Sequence, residues 1–229
     1  MAVTGPWSFV SMLRDLKFPN TFNPYVERCE QYDKPSAPDI RTGVLLDILR
    51  AARAADIDSI WIGRDLGHRG GRRTGLALTD DFRFSAHTRR WGLEVERPTR
   101  GPMVRERTAT VVWEMLEQIE ENVFLWNLFP LHPFPECDAY RNRAHSAIER
   151  NAGFELVCRL ISFLQPRRII AIGKDAARAL RNGMLEVDVR DVRHPSYGGE
   201  RLFREQIAWL YGIKMLDFQP SLDLTDTGS

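Results

Sequence analysis

Three mainly apolar runs, residues 58–63, 122–130 and 167–173, each stop abruptly at glycine or proline, and the chain between them carries apolar residues at helical spacing. Runs this short, with no polar alternation, suit strands buried on both faces of a parallel sheet. A fourth strand is expected within 186–193. Helices are expected over 6–17, 41–55, 108–121, 138–164, 174–181 and 199–211, with Pro35 and Pro38 keeping the chain irregular to about Asp39. Residues 80–103 read as a long excursion with at most a short helical turn. Strands alternating with helices imply an α/β fold, a three-layer α/β/α sandwich around a central, mainly parallel four-stranded sheet.

In such a sheet the carboxyl ends of the strands share one edge, where ligands bind. Three of these ends carry polar residues: Asp65 and His68 after the first strand, Asn127 near the end of the second, and His194 with Ser196 after the fourth. Gly63, Gly67, Gly70, Gly71 and Gly75 interrupt the loop after the first strand. Glycine lets backbone amides approach phosphate, and Arg64, Arg69, Arg72 and Arg73 add charge, so the loop reads as anion-facing. A flexible arginine-rich connection over the surface is the competing reading.

The 229 residues, 43% hydrophobic and 28% charged, suit one soluble domain over 1–229, with 214–229 a polar tail. No apolar run reaches membrane-spanning length and no signal-peptide pattern opens the chain, so a cytoplasmic protein with no membrane partner is expected. Cys29, Cys137 and Cys158 fit neither a disulfide framework nor a zinc site. Only four of the 32 basic residues are lysine. That bias suits phosphate recognition, and genomic composition also produces it.

The motifs resemble the uracil-DNA glycosylase superfamily from about residue 20 to residue 213. Gly63-Arg64-Asp65-Leu66-Gly67-His68, followed by Gly75-Leu76, has the spacing of the family-1 Gly-Gln-Asp-Pro-Tyr-His motif. Asn127-Leu-Phe-Pro-Leu131-His-Pro133 is similar to the Asn-x-x-x-Cys-x-Pro stretch of the iron-sulfur families, as is 165–173 to their Pro-to-Gly strand. His194-Pro195-Ser196 resembles the His-Pro-Ser signature. Leu131 stands at a cluster cysteine position and no Cys-x-x-Cys occurs near the N-terminus, so no cluster, other cofactor or metal is expected.

The resemblance implies a monofunctional enzyme that flips uracil out of single- or double-stranded DNA, cuts its N-glycosidic bond and leaves abasic-site DNA. It assigns the sugar cation and attacking water to Asp65, the departing base carbonyl to His194, and base reading to Asn127. His68 would lie beside Asp65 and orient water or contact phosphate, or else fix the loop. Gly63, Arg64, Gly67 and Leu78 would complete the base pocket, with Leu78, or else Phe82 or Phe84, in place of the stacking phenylalanine. Gly67 replaces the tyrosine that closes the pocket against bulkier bases, so hypoxanthine and xanthine join uracil as expected substrates. Arg69, Arg72, Arg73 and Ser196 would hold phosphate. Tyr197 or Arg201 would fill the vacated stack. A monomer is expected. The alternatives are a glycosylase-like module that holds uracil or abasic DNA without efficient turnover, and a different α/β hydrolase acting on nucleotides.

Overall fold

A computed structural model describes residues 5–183 and 185–214. Its elements run α1 (Pro6–Asp15), β1 (Thr21–Phe22), α2 (Ala37–Ala54), β2 (Ile57–Asp65), α3 (Gly71–Thr74), α4 (Phe84–Arg90), α5 (Arg107–Leu116), β3 (Asn122–Phe129), β4 (His132–Pro133), α6 (Ala147–Leu164), β5 (Arg168–Ile172), α7 (Lys174–Asn182), β6 (Asp188–Val192) and α8 (Glu200–Tyr211). β3, β2, β5 and β6 lie side by side in that order, and each neighbouring pair is parallel.

Alternation along the strands explains their apolar character. Ile60 and Ile62 of β2, Phe124 and Trp126 of β3, and Ile169 and Ala171 of β5 pack toward α1, α2, α6 and α7. Trp61, Leu125, Ile170 and Ile172 point the other way, into a second cluster with α5 and α8. The expected three-layer sandwich is the result. β6 lies at the edge with the charged pattern Asp-Val-Arg-Asp-Val, which discourages pairing with another chain.

Several boundaries differ from the sequence reading. α2 starts at Ala37 because Pro38 sits in its first turn, where a missing N–H costs nothing. The expected 138–164 helix starts only at Ala147. Ser146 caps it: its hydroxyl accepts from the Glu149 amide at 3.3 Å, and Glu149 Oε2 accepts from the Ser146 amide at 2.6 Å. Residues 138–146 are therefore a loop above the sheet. α5 ends at Leu116, five residues short of the expected 121. Of the expected 214–229 tail, residues 215–229 lie outside the described residues.

After β2 the chain passes to the α5 face, whereas after β3 and β5 it passes to the α6 and α7 face. The loops therefore part above the carboxyl ends of adjacent strands and open a crevice. No helix among the described residues is long and apolar enough to cross a membrane.

Candidate active site

The crevice holds a cavity of about 420 Å³ lined by Asp65, Asn127, Glu106, His194, Leu78 and Tyr197, among others. Its floor follows from strand register. Gly63 of β2 lies directly beside Asn127 of β3, and a Cβ at Gly63 would collide with Asn127 Oδ1. Asn127 is 1% exposed, and its side chain has no hydrogen-bond partner among the described residues. A buried amide without a partner is costly in an empty site and suited to one that a polar ligand fills.

Asp65 ends β2, with both carboxylate oxygens held. Arg64 Nε donates to Oδ2 at 2.7 Å, and the Nδ1–H of His145 donates to Oδ1. The same Arg64 reaches Asp175 at 3.0 Å. His145 lies in the loop before α6, its ring edge against Phe129, and faces a neighbouring cavity shared with Arg64 and Asp175. It thus backs Asp65 without lining the main cavity. His68, expected beside Asp65, is held elsewhere. The backbone and Nδ1 of His68 donate to Asn142 Oδ1, at 2.9 and 3.2 Å, and His132 Nε2 shares that acceptor at 3.1 Å. Burial lowers the His68 pKa, and its ring does not line the cavity. The Ser146 capping box, which places residue 145 just outside a helix, was the signal that could have found His145.

His194 lines the same cavity as Asp65. Burial, then the cations Arg64 and Arg193, push its pKa down to about 4, so the ring is neutral near pH 7. Its Nδ1 accepts from the Ser196 amide at 3.1 Å and faces the Ser196 hydroxyl at 2.7 Å. An amide can only donate, so the ring proton sits on Nε2, which is left as a donor. Ser196, expected on phosphate, thus fixes the His194 tautomer. Gly173 ends β5 at φ 91°, and His194 Cβ packs within 3.1 Å of where its Cβ would be.

The glycine loop corrects the anion-facing expectation. Arg73 is buried and pairs with buried Asp81 at 2.7 Å, and Arg72 is buried among Phe22, Tyr32 and Tyr140 while donating to the Ala139 carbonyl at 2.8 Å. Neither guanidinium is free for phosphate: Arg73 is taken by Asp81 eight residues on, and Arg72 by partners from distant segments. The fully buried ion pair of Arg41 with Asp33 holds the loop from beneath, as Arg41 Nε donates to the Arg73 carbonyl at 2.9 Å. Arg69 stays exposed. Arg201 lies on the outer face of α8, paired with Glu205 at 2.7 Å, and does not line the cavity. Tyr197 is 99% exposed at the cavity mouth, on a left-handed backbone with φ 53°.

Leu78 supplies an aliphatic wall, while Phe84 is in the core and Phe82 lies outside against Arg105. Gly67 does not open the pocket as expected. Glu106, the residue before α5, fills that place: a Cβ at Gly67 would collide with its Oε1. Lys174 and Arg193 add cations at the rim.

Among the described residues no group of three or more histidine, cysteine or acidic residues could hold a metal ion, and the three cysteines are free. No protein-family model matches the chain, and no curated protein does. Among solved structures the fold is similar to that of SMUG2 from Pedobacter heparinus, with a TM-score of 0.63 and 13% identity over 89% of this chain and 95% of that one.

Proposed function

We propose that this chain is a monofunctional DNA glycosylase that hydrolyses the N-glycosidic bond of flipped uracil, leaving an abasic site. The observation that carries the reading is the placement of three unlike groups around one cavity: carboxylate Asp65, unpartnered amide Asn127 and neutral donor His194. A fold shared with SMUG2, a member of the uracil-DNA glycosylase superfamily, supports it.

Cleavage develops positive charge on the sugar and negative charge on the departing base, so the two halves of the site need opposite electrostatics. Asp65 faces the sugar. Its carboxylate stabilises the cation and takes a proton from water as the water oxygen bonds to C1′. The bond from C1′ to the base nitrogen breaks, the electron pair leaves with the base, and His194 Nε2–H hydrogen-bonds the carbonyl where that charge gathers. Asn127 offers donor and acceptor to the lactam edge of uracil and a poor match to cytosine. Lys174, Arg193 and Arg69 provide the cationic rim for the DNA backbone, and Tyr197 projects toward the vacated stack.

One observation favours a second reading, a module that binds uracil or abasic DNA without turnover: both Asp65 oxygens already have donors, which weakens the carboxylate as a base. A gel shift run beside alkaline strand scission on a uracil oligonucleotide separates the two. Scission establishes the enzyme. A shifted band with no alkali-labile site establishes the module.

A further inference from the structure

The Glu106 carboxyl lines the cavity, and the chemistry above leaves it unused. It lies where side chains at Gly67 and Gly70 would be, and a Cβ at either glycine would collide with one of its oxygens. It shares the cavity with Asn127 and His194. Among the described residues no group donates a hydrogen bond to it or forms an ion pair with it, whereas its backbone amide donates to Asp80 Oδ2 at 2.7 Å. Asp80 on the segment after the glycine loop and Arg69 on that loop act on its charge, and Arg64, Asp65, Arg143, Lys174, Asp175, Arg193 and the neutral His194 line the same cavity.

Resting on the glycosylase reading, we propose that Glu106 is a second base-reading residue, whose carboxyl contacts the flipped base from the Gly67 wall and selects bases presenting a polar edge there. A carboxylic acid offers an O–H donor beside a carbonyl acceptor, the complement of a lactam N–H and C=O. A carboxylate offers only acceptors, and repels a base carbonyl while still accepting N–H. A methyl group at this wall, as in thymine, would bury the carboxyl with no partner. The extended lactam edge of hypoxanthine can reach the wall. Burial, with Asp80 adding to it and Arg69 opposing, raises this carboxyl to about 7, so both forms are accessible at neutral pH.

The test compares wild type, E106Q and E106A on oligonucleotides carrying uracil, hypoxanthine or thymine at pH 6 and pH 8. Base release is measured, and anisotropy binding is measured in a D65N background, with thermal melting as the folding control. Wild type is expected to lose roughly tenfold of its preference for hypoxanthine over thymine between pH 6 and pH 8, the scale of one hydrogen bond to a charged group. E106Q, a permanent donor and acceptor, is expected to show no such change with pH, and E106A to lose hypoxanthine preference at both values. Uracil release with the same base ranking and pH response in all three proteins would overturn the proposal and leave the glycosylase reading standing. Absence of release together with Glu106-dependent discrimination in binding would sustain Glu106 as a base reader and remove the catalytic reading. Absence of both would overturn both.

Discussion

His145 donates its Nδ1–H to Asp65 across 80 residues of sequence, which makes the proposed water-directing carboxylate one half of a pair. The donor fixes the orientation of the carboxylate, with Arg64 holding the other oxygen. His145→Ala is expected to lower kcat by about a hundredfold with little change in KM, the scale of losing an oriented acid–base group. His145→Asn restores an N–H near the same place and should recover part of the loss. Single-turnover kinetics of both variants, with the pH profile of each, separate this positioning role from a general loss of packing.

Gly63 and Asn127 are register partners in adjacent strands, and the glycine leaves the space that Asn127 Oδ1 occupies. Gly63→Ala should displace Asn127 and reduce cleavage of uracil DNA by about a hundredfold or more, while thermal stability falls by no more than about 1–3 kcal/mol, the usual cost of overpacking. A rate equal to that of wild type would remove Asn127 from base reading.

Two arginines of one loop are expected to behave oppositely. Arg73→Ala leaves buried Asp81 without its main cation and should destabilise the protein by about 3 kcal/mol, read by urea denaturation. Arg69→Ala should leave stability unchanged, weaken DNA binding, and lower the slope of log affinity against log salt by about one.

Stability should respond to pH in two windows. Burial leads the lowering of His87 and His132 to about 3 and of His194 to about 4, so the folded state refuses protons that the unfolded chain takes up below the ordinary histidine value of 6.5. Their stability is present above pH 6.5 and lost progressively as pH falls through about 4 for His194 and about 3 for His87 and His132, each contributing about 1.4 kcal/mol per pH unit over its window. Glu106 acts in the other direction. Raised from 4.5 to about 7, it favours the fold below pH 4.5, and that contribution is lost as pH rises through 7. Glu106→Gln should therefore be more stable than wild type at pH 8, by roughly 2–3 kcal/mol, with the difference closing toward pH 5. Denaturant titrations across pH 4–8 test both windows.

The sheet was legible because β2, β3 and β5 are buried on both faces and need unbroken apolar runs, and because glycine, proline or polar residues end each run. Asp65, Asn127 and His194 were legible as strand-end residues sharing one edge. His145 was not, since the capping box that frees it from α6 lies inside a segment of otherwise helical pattern. Glu106 could not be paired with Gly67 from spacing, because the 38 residues between them fold back by tertiary contacts. Arg72 turns inward for the same reason, since Phe22, Tyr32 and Tyr140 are far from it in the chain, whereas Arg73 meets Asp81 only eight residues on, through a loop fold that apolar spacing does not encode. Pattern locates which edge carries polar groups, whereas the direction of each side chain depends on partners elsewhere in the chain.

The most direct measurement is the single-turnover rate of alkali-labile site formation on a labelled single-stranded oligonucleotide with one uracil, for wild type, Asp65→Asn and His194→Ala. Wild type should cut at the uracil, and each variant should be slower by about a hundredfold or more while still binding the strand. Equal rates in wild type and Asp65→Asn, or binding by wild type with no alkali-labile product, would contradict a glycosylase built on Asp65 and His194.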